Sequence, residues 1–180
     1  MVQSQTYRCD GCGSEYRVVG ESQPKVVCRN CDREATLCGT AAAQRAYHIG
    51  YTRYREARRQ LSDALATVED GEMALARGGF DSAASDFEAS VDRFTTAVRE
   101  SDDETLAEFA EEGRKKATCL WQAAEWLSGM TFAREQGETA QASTYRQDAE
   151  NRLQAAREYG TVSSPAELRQ AAELEVQSEA

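Results

Sequence analysis

The chain has 180 residues, with 31 Asp and Glu against 21 Lys and Arg, one His, six Cys and two Pro. At 41% apolar and 29% charged residues it is too hydrophobic for wholesale disorder, and no run approaches the roughly 18 apolar residues of a membrane span. A net charge of −10 gives the body the wrong sign for gripping nucleic acid, and a single histidine leaves Ser/His/Asp or Cys/His nucleophile arrangements no choice of base.

Met1 to Thr6 offers neither a basic stretch nor an apolar core of the kind that directs export, so the expected setting is cytoplasmic and reducing. Cysteines in that setting are read first as metal ligands. Cys9-Asp10-Gly11-Cys12 and Cys28-Arg29-Asn30-Cys31 are two CxxC turns with 15 residues between Cys12 and Cys28. Each short turn aims two sulfurs at one ion, and four thiolates suit a closed tetrahedral site with one structural Zn2+ per chain. Between the turns, residues 15–19 and 25–27 read as short strands around the turn-rich stretch Gly20-Glu21-Ser22-Gln23-Pro24. Residues 5–39 resemble a zinc ribbon, with the four ligand positions on Cys9, Cys12, Cys28 and Cys31. Iron in a rubredoxin-like site uses the same two turns and is the rival ion. Cys38 is read as a small strand residue or a spare ligand, His48 as a remote ligand candidate, and Cys119 as part of a helical core.

Charge divides the chain. Residues 1–39 carry five basic and five acidic side chains, residues 40–59 sum to +4, and residues 60–180 carry 11 basic and 25 acidic, or −14. Of the 21 basic residues 18 are Arg, a bias that with the excess carboxylate resembles proteins of salt-loving archaea. Within Arg45–Arg55 cations alternate with Tyr47, Tyr51 and Tyr54, a mixture that can stack and clamp a single strand; the same tyrosines also continue the apolar stripe of a helix. The acidic run from Glu100 to Glu112 lacks the spacing of a calcium loop and reads as a solvated helix start.

Residues 40–180 are expected to form about five helices, beside a 1–39 ribbon. Tyr47, Tyr51, Tyr54, Leu61, Leu65 and Val68 mark the first, running to about Arg77 and ended by Gly78-Gly79. A second begins near Ser82 with Asp81 as N-cap, and a third at Ser101, where Ser101 and Glu104 have capping-box spacing. A fourth carries Ala142, Tyr145, Ala149, Leu153 and Ala156 and stops at Gly160. Ser164-Pro165-Ala166-Glu167 opens the last. Trp121 and Trp126 are expected to anchor packing near the end of the third helix. Gly71, Gly78, Phe80, Ala83 and Phe87 have the spacing of small and aromatic positions in a tetratricopeptide repeat, and the region around Gln136-Gly137-Glu138 is similar. The resemblance departs at Thr67, Asp70 and Ser90.

The fold class that follows is a small β zinc ribbon and an all-α domain of antiparallel, tetratricopeptide-like hairpins. No phosphate-binding glycine loop, dinucleotide fingerprint or paired catalytic motif is present, so the expectation is a non-enzymatic adaptor that binds protein, with no small-molecule substrate. The alternative is a transcription- or translation-associated factor that uses the ribbon and nearby arginines on nucleic acid or polymerase. One basic face formed by Arg29, Arg33, Arg45 and Arg53 would favour that alternative; scattered placement favours the adaptor.

Overall fold

A computed structural model describes residues 4–19, 23, 25–168 and 170. Four strands, β1 (Ser4–Cys9), β2 (Glu15–Val19), β3 (Lys25–Val27) and β4 (Glu34–Cys38), precede four long helices. These are α1 (Thr40–Glu69), α2 (Met73–Glu100), α3 (Glu104–Glu135) and α4 (Thr139–Glu158). The two strands expected between the CxxC turns are present. Most of the turn between them, Gly20 to Ser22 and Pro24, lies outside the described residues.

All strand pairs are antiparallel and the order is β2-β1-β4-β3. Alternation puts Tyr7, Cys9, Tyr16, Val18, Val26 and Ala35 into one small core with Cys28. The register Thr6↔Cys38 and Cys9↔Ala35 sets the polarity of this head. The CxxC turns leave from the Cys9 end, and α1 leaves from the Cys38 end, about 10 Å of strand away. Gly39 makes the junction at φ +71°, a left-handed conformation that favours glycine.

Helix ends differ from the sequence reading in an instructive way. The first helix ends at Glu69, not near Arg77. Gly71, at φ +83°, closes it with the paired bonds of a Schellman turn, Gly71 N–H to Val68 O (3.1 Å) and Glu72 N–H to Thr67 O (3.1 Å). The same pattern recurs at Gly137, whose N–H reaches Arg134 O (3.1 Å) while Glu138 N–H reaches Ala133 O (2.9 Å). Gly78 and Gly79 lie inside α2, and so does Asp81, which is therefore no N-cap. The N-cap of α3 is Asp103, accepting from Leu106 N–H at 3.0 Å, rather than Ser101. At the end of α4 there is no left-handed glycine; Lys116 Nζ donates to the carbonyls of Tyr159 (3.1 Å) and Gly160 (2.7 Å) instead. The Ser164–Glu167 capping box is present, each backbone N–H reaching the other's side chain at 2.6 and 3.2 Å.

Each of α1, α2 and α3 has 28 to 32 residues, nearly the whole 34-residue length of a tetratricopeptide repeat that must hold two helices. Instead the helices form long antiparallel hairpins in chain order, α1 on α2, α2 on α3 and α3 on α4. Alanine lines the seams, and Phe94 sits at their centre. A Cβ at Gly50 of α1 or at Gly113 of α3 would come within 3.2 and 3.0 Å of its ring. Ser90, at a position where the repeat pattern has alanine, is fully buried and donates to Gly50 O at 2.9 Å. The segment after α4 crosses back, burying Val162 and placing Ser163 O 2.7 Å from Tyr47 Oη. Among the described residues no helix is long and apolar enough to cross a membrane.

Candidate metal centre

Two loops of the same construction build the site. In the first, Cys9 N–H donates to Ser14 O (3.0 Å) and Gly13 N–H to Cys9 O (2.9 Å). In the second, Cys28 N–H donates to Arg33 O (2.7 Å) and Asp32 N–H to Cys28 O (3.0 Å). The fourth residue after each leading cysteine, Gly13 or Asp32, has positive φ, at 71° and 55°. Aspartate is among the few side chains that tolerate this region. Gly11 leaves room for a neighbour: a Cβ there would lie 2.4 Å from Cδ of Arg33, whose exposed side chain lies across the first loop and would have to move aside.

The loops bring the Sγ atoms of Cys9, Cys12, Cys28 and Cys31 within 4.8 Å of one another. Cys9 and Cys31 are 3.4 Å apart and Cys12 and Cys28 3.7 Å. Four sulfurs about 2.3 Å from a central ion would be separated by about 3.8 Å, so the donor set fits a tetrahedral metal site. Its surroundings favour thiolate. Gly11 N–H points at Cys9 Sγ (3.3 Å) and Asn30 N–H at Cys28 Sγ (3.4 Å), while Asn30 Nδ2 lies 3.8 Å from Cys12 Sγ. The Ser14 hydroxyl and backbone hold the Cys12 thiol down to about 6. The backbone N–H of Cys12 lowers that of Cys9. At Cys31 the Arg33 backbone N–H favours the thiolate, but the crowding of Cys9, Cys12 and Cys28, together with burial, pushes the thiol up to about 12. Four adjacent thiolates cannot all form without a cation, which is the behaviour of a metal-ligand cluster.

Cys38 lies apart from this cluster, buried in β4 with its Sγ 3.5 Å from Thr6 O, its thiol raised by burial. Cys119 packs half-buried against the helical core, and His48 is exposed on α1. In the basic segment, Tyr47 and Tyr54 are buried with their rings against Phe94 and Phe87. Arg53 pairs with Asp86 at 2.7 Å, Arg59 with Glu56, and Arg58 covers the Tyr54 ring.

One feature has no signal in the sequence. A cleft of about 680 Å³ lies where the sheet meets the α1 start and the α2–α3 corner, lined by Arg8, Arg17, Arg99, Glu15, Glu100 and Asp102 among others. Its charges largely satisfy each other, with Arg8–Glu15 at 2.8 Å and Arg99–Glu100 at 2.9 Å. Compared with known protein families, curated proteins and solved structures, the chain matches none.

Proposed function

We propose that the chain is a non-enzymatic adaptor, in which one structural zinc folds a ribbon-like head that is carried on a helical body, both surfaces binding protein. The observation that supports this reading is the donor set. Four cysteine sulfurs fill every tetrahedral position, so an ion held by Cys9, Cys12, Cys28 and Cys31 keeps no open position for water or substrate. Zinc is the ion of this reading; the closed, soft, tetrahedral sulfur set suits zinc and iron alike, and metal content decides between them. A head core of only a few side chains cannot hold itself together, so the ion supplies much of its folding free energy, about 10–16 kcal/mol in zinc peptides.

The arginines bear on the choice between protein and nucleic acid. Arg29 and Arg33 belong to the CxxC end of the head, whereas Arg45 and Arg53 lie on α1, which leaves the opposite end of β4, and Arg53 is already paired. That placement favours the adaptor over one continuous basic face. The test is affinity capture with the full chain, with and without nuclease, beside a Cys9→Ser, Cys28→Ser double variant. A protein set that survives nuclease and shrinks with the variant is the expected result. Recovery of nucleic acid, or loss of all partners with nuclease, would overturn the reading.

A further inference from the structure

We propose that the recess around Trp126 and Tyr145 on the α3–α4 hairpin is a docking point for an arginine side chain of a basic protein segment. The proposal rests on the adaptor reading and names the chemistry of one partner. Trp126 of α3 and Tyr145 of α4 stack with ring centroids 5.5 Å apart at 30°. Gly129 makes room for this pair, since a Cβ there would come 3.2 Å from the tyrosine ring. Gln141 Nε2 steadies the tyrosine by donating to its hydroxyl at 2.7 Å. Glu125, Trp126, Gly129 and Tyr145 line a recess of about 200 Å³, below the roughly 300–1,000 Å³ of small-molecule pockets and sized for one side chain.

A cation is the complement of this recess for three reasons. An aromatic face carries negative charge density, and this chain uses its own arginines to cover such faces elsewhere. Arg77 lies 5.5 Å over the exposed ring of Phe132, and Arg58 lies 5.9 Å over Tyr54. Over Trp126, which is 37% exposed, no cation is found among the described residues. Secondly, Glu125 lines the recess itself and has no ion-pair partner among the described residues, so its carboxylate is open to an incoming guanidinium. Thirdly, the recess belongs to residues 60–180, whose sum of −14 draws a basic partner in and strengthens its approach. Arginine fits better than lysine, because its planar guanidinium stacks on a ring while its N–H groups reach a carboxylate.

The test uses metal-loaded, 15N-labelled full chain and the blocked peptide acetyl-Gly-Arg-Gly-Arg-Gly-amide, with its citrulline counterpart as a neutral control. The two tryptophans supply an internal comparison. Saturable movement of the Trp126 indole N–H, with that of Trp121 unmoved and citrulline inert, is expected. Trp126→Ala, read on the backbone N–H signals of Glu125, Gly129 and Tyr145, should weaken binding about threefold to tenfold. Should that variant lose helical circular dichroism, Glu125→Arg replaces it, and charge reversal should abolish the shift. Equal binding by wild type and variant, or movement spread evenly over acidic surfaces, would overturn the proposal as unspecific polycation adsorption. If the Glu125→Arg protein keeps both its peptide binding and its nuclease-resistant partners, the adaptor reading stands and only this surface falls.

Discussion

Gly78 and Gly79 are neighbours in α2, yet only the second faces another helix. A Cβ at 79 would lie 2.8 Å from the Ala64 Cβ, while one at 78 would meet nothing within 4 Å. Gly78→Ala should therefore stabilise the protein by about 0.5–1 kcal/mol through helix propensity, and Gly79→Ala should destabilise it by about 1–3 kcal/mol through overpacking. Thermal unfolding of the two variants checks both signs. The thiols make a second prediction at this scale. Cys12 ionises near 6 whereas Cys31 is pushed up to about 12, so near neutral pH metal binding must displace the proton that Cys31 holds. Affinity therefore rises with pH, and its slope steepens below about 6, where Cys12 is protonated too. A chelator competition from about pH 5 to about pH 8 measures this slope; a flat profile would contradict thiolate ligation.

The head and the helices are elements of different legibility. The CxxC turns could be read because their information is local: four residues fix each loop, and the pairing of loops follows from four sulfurs seeking one site. The end of the first helix and the start of the second could not be read from composition, because glycine serves both as a terminator and as a close-packing residue, whereas the turn at Gln136-Gly137-Glu138 and the stop near Gly160 could. Gly71 and Gly137 terminate helices by adopting positive φ, whereas Gly79, Gly50 and Gly113 admit a neighbour. Only the partner helix distinguishes the two uses. Likewise β1 and β4 lack a hairpin signal of their own, since each flanks a cysteine loop and they pair with each other across 25 or more residues. The Trp126–Tyr145 recess joins two helices, and the sequence contained only its separate parts. At this scale Cys9→Ser is expected to unfold the head while helical circular dichroism stays nearly unchanged, because the small head core and the helical core are separate clusters. Loss of the helical signal in that variant would mean that the two are one cooperative unit.

Across the whole molecule, Phe94 ties three helices together, touching the glycine positions of α1 and α3 and the ring of Tyr47 at 5.3 Å. Phe94→Ala should cost about 3–5 kcal/mol of helical stability and leave metal binding by the head intact, which denaturant melts read beside metal content will show. Two cores meet at Gly39, one built from packed alanine and aromatic side chains and one, in the proposed reading, dependent on an ion. The dependence of the head on an ion is read by elemental analysis of the full chain purified without chelator, beside the Cys9→Ser, Cys28→Ser variant. One zinc per wild-type chain and none in the variant is the expected result. A wild-type chain that carries iron, or no metal at all with its head folded, would contradict it.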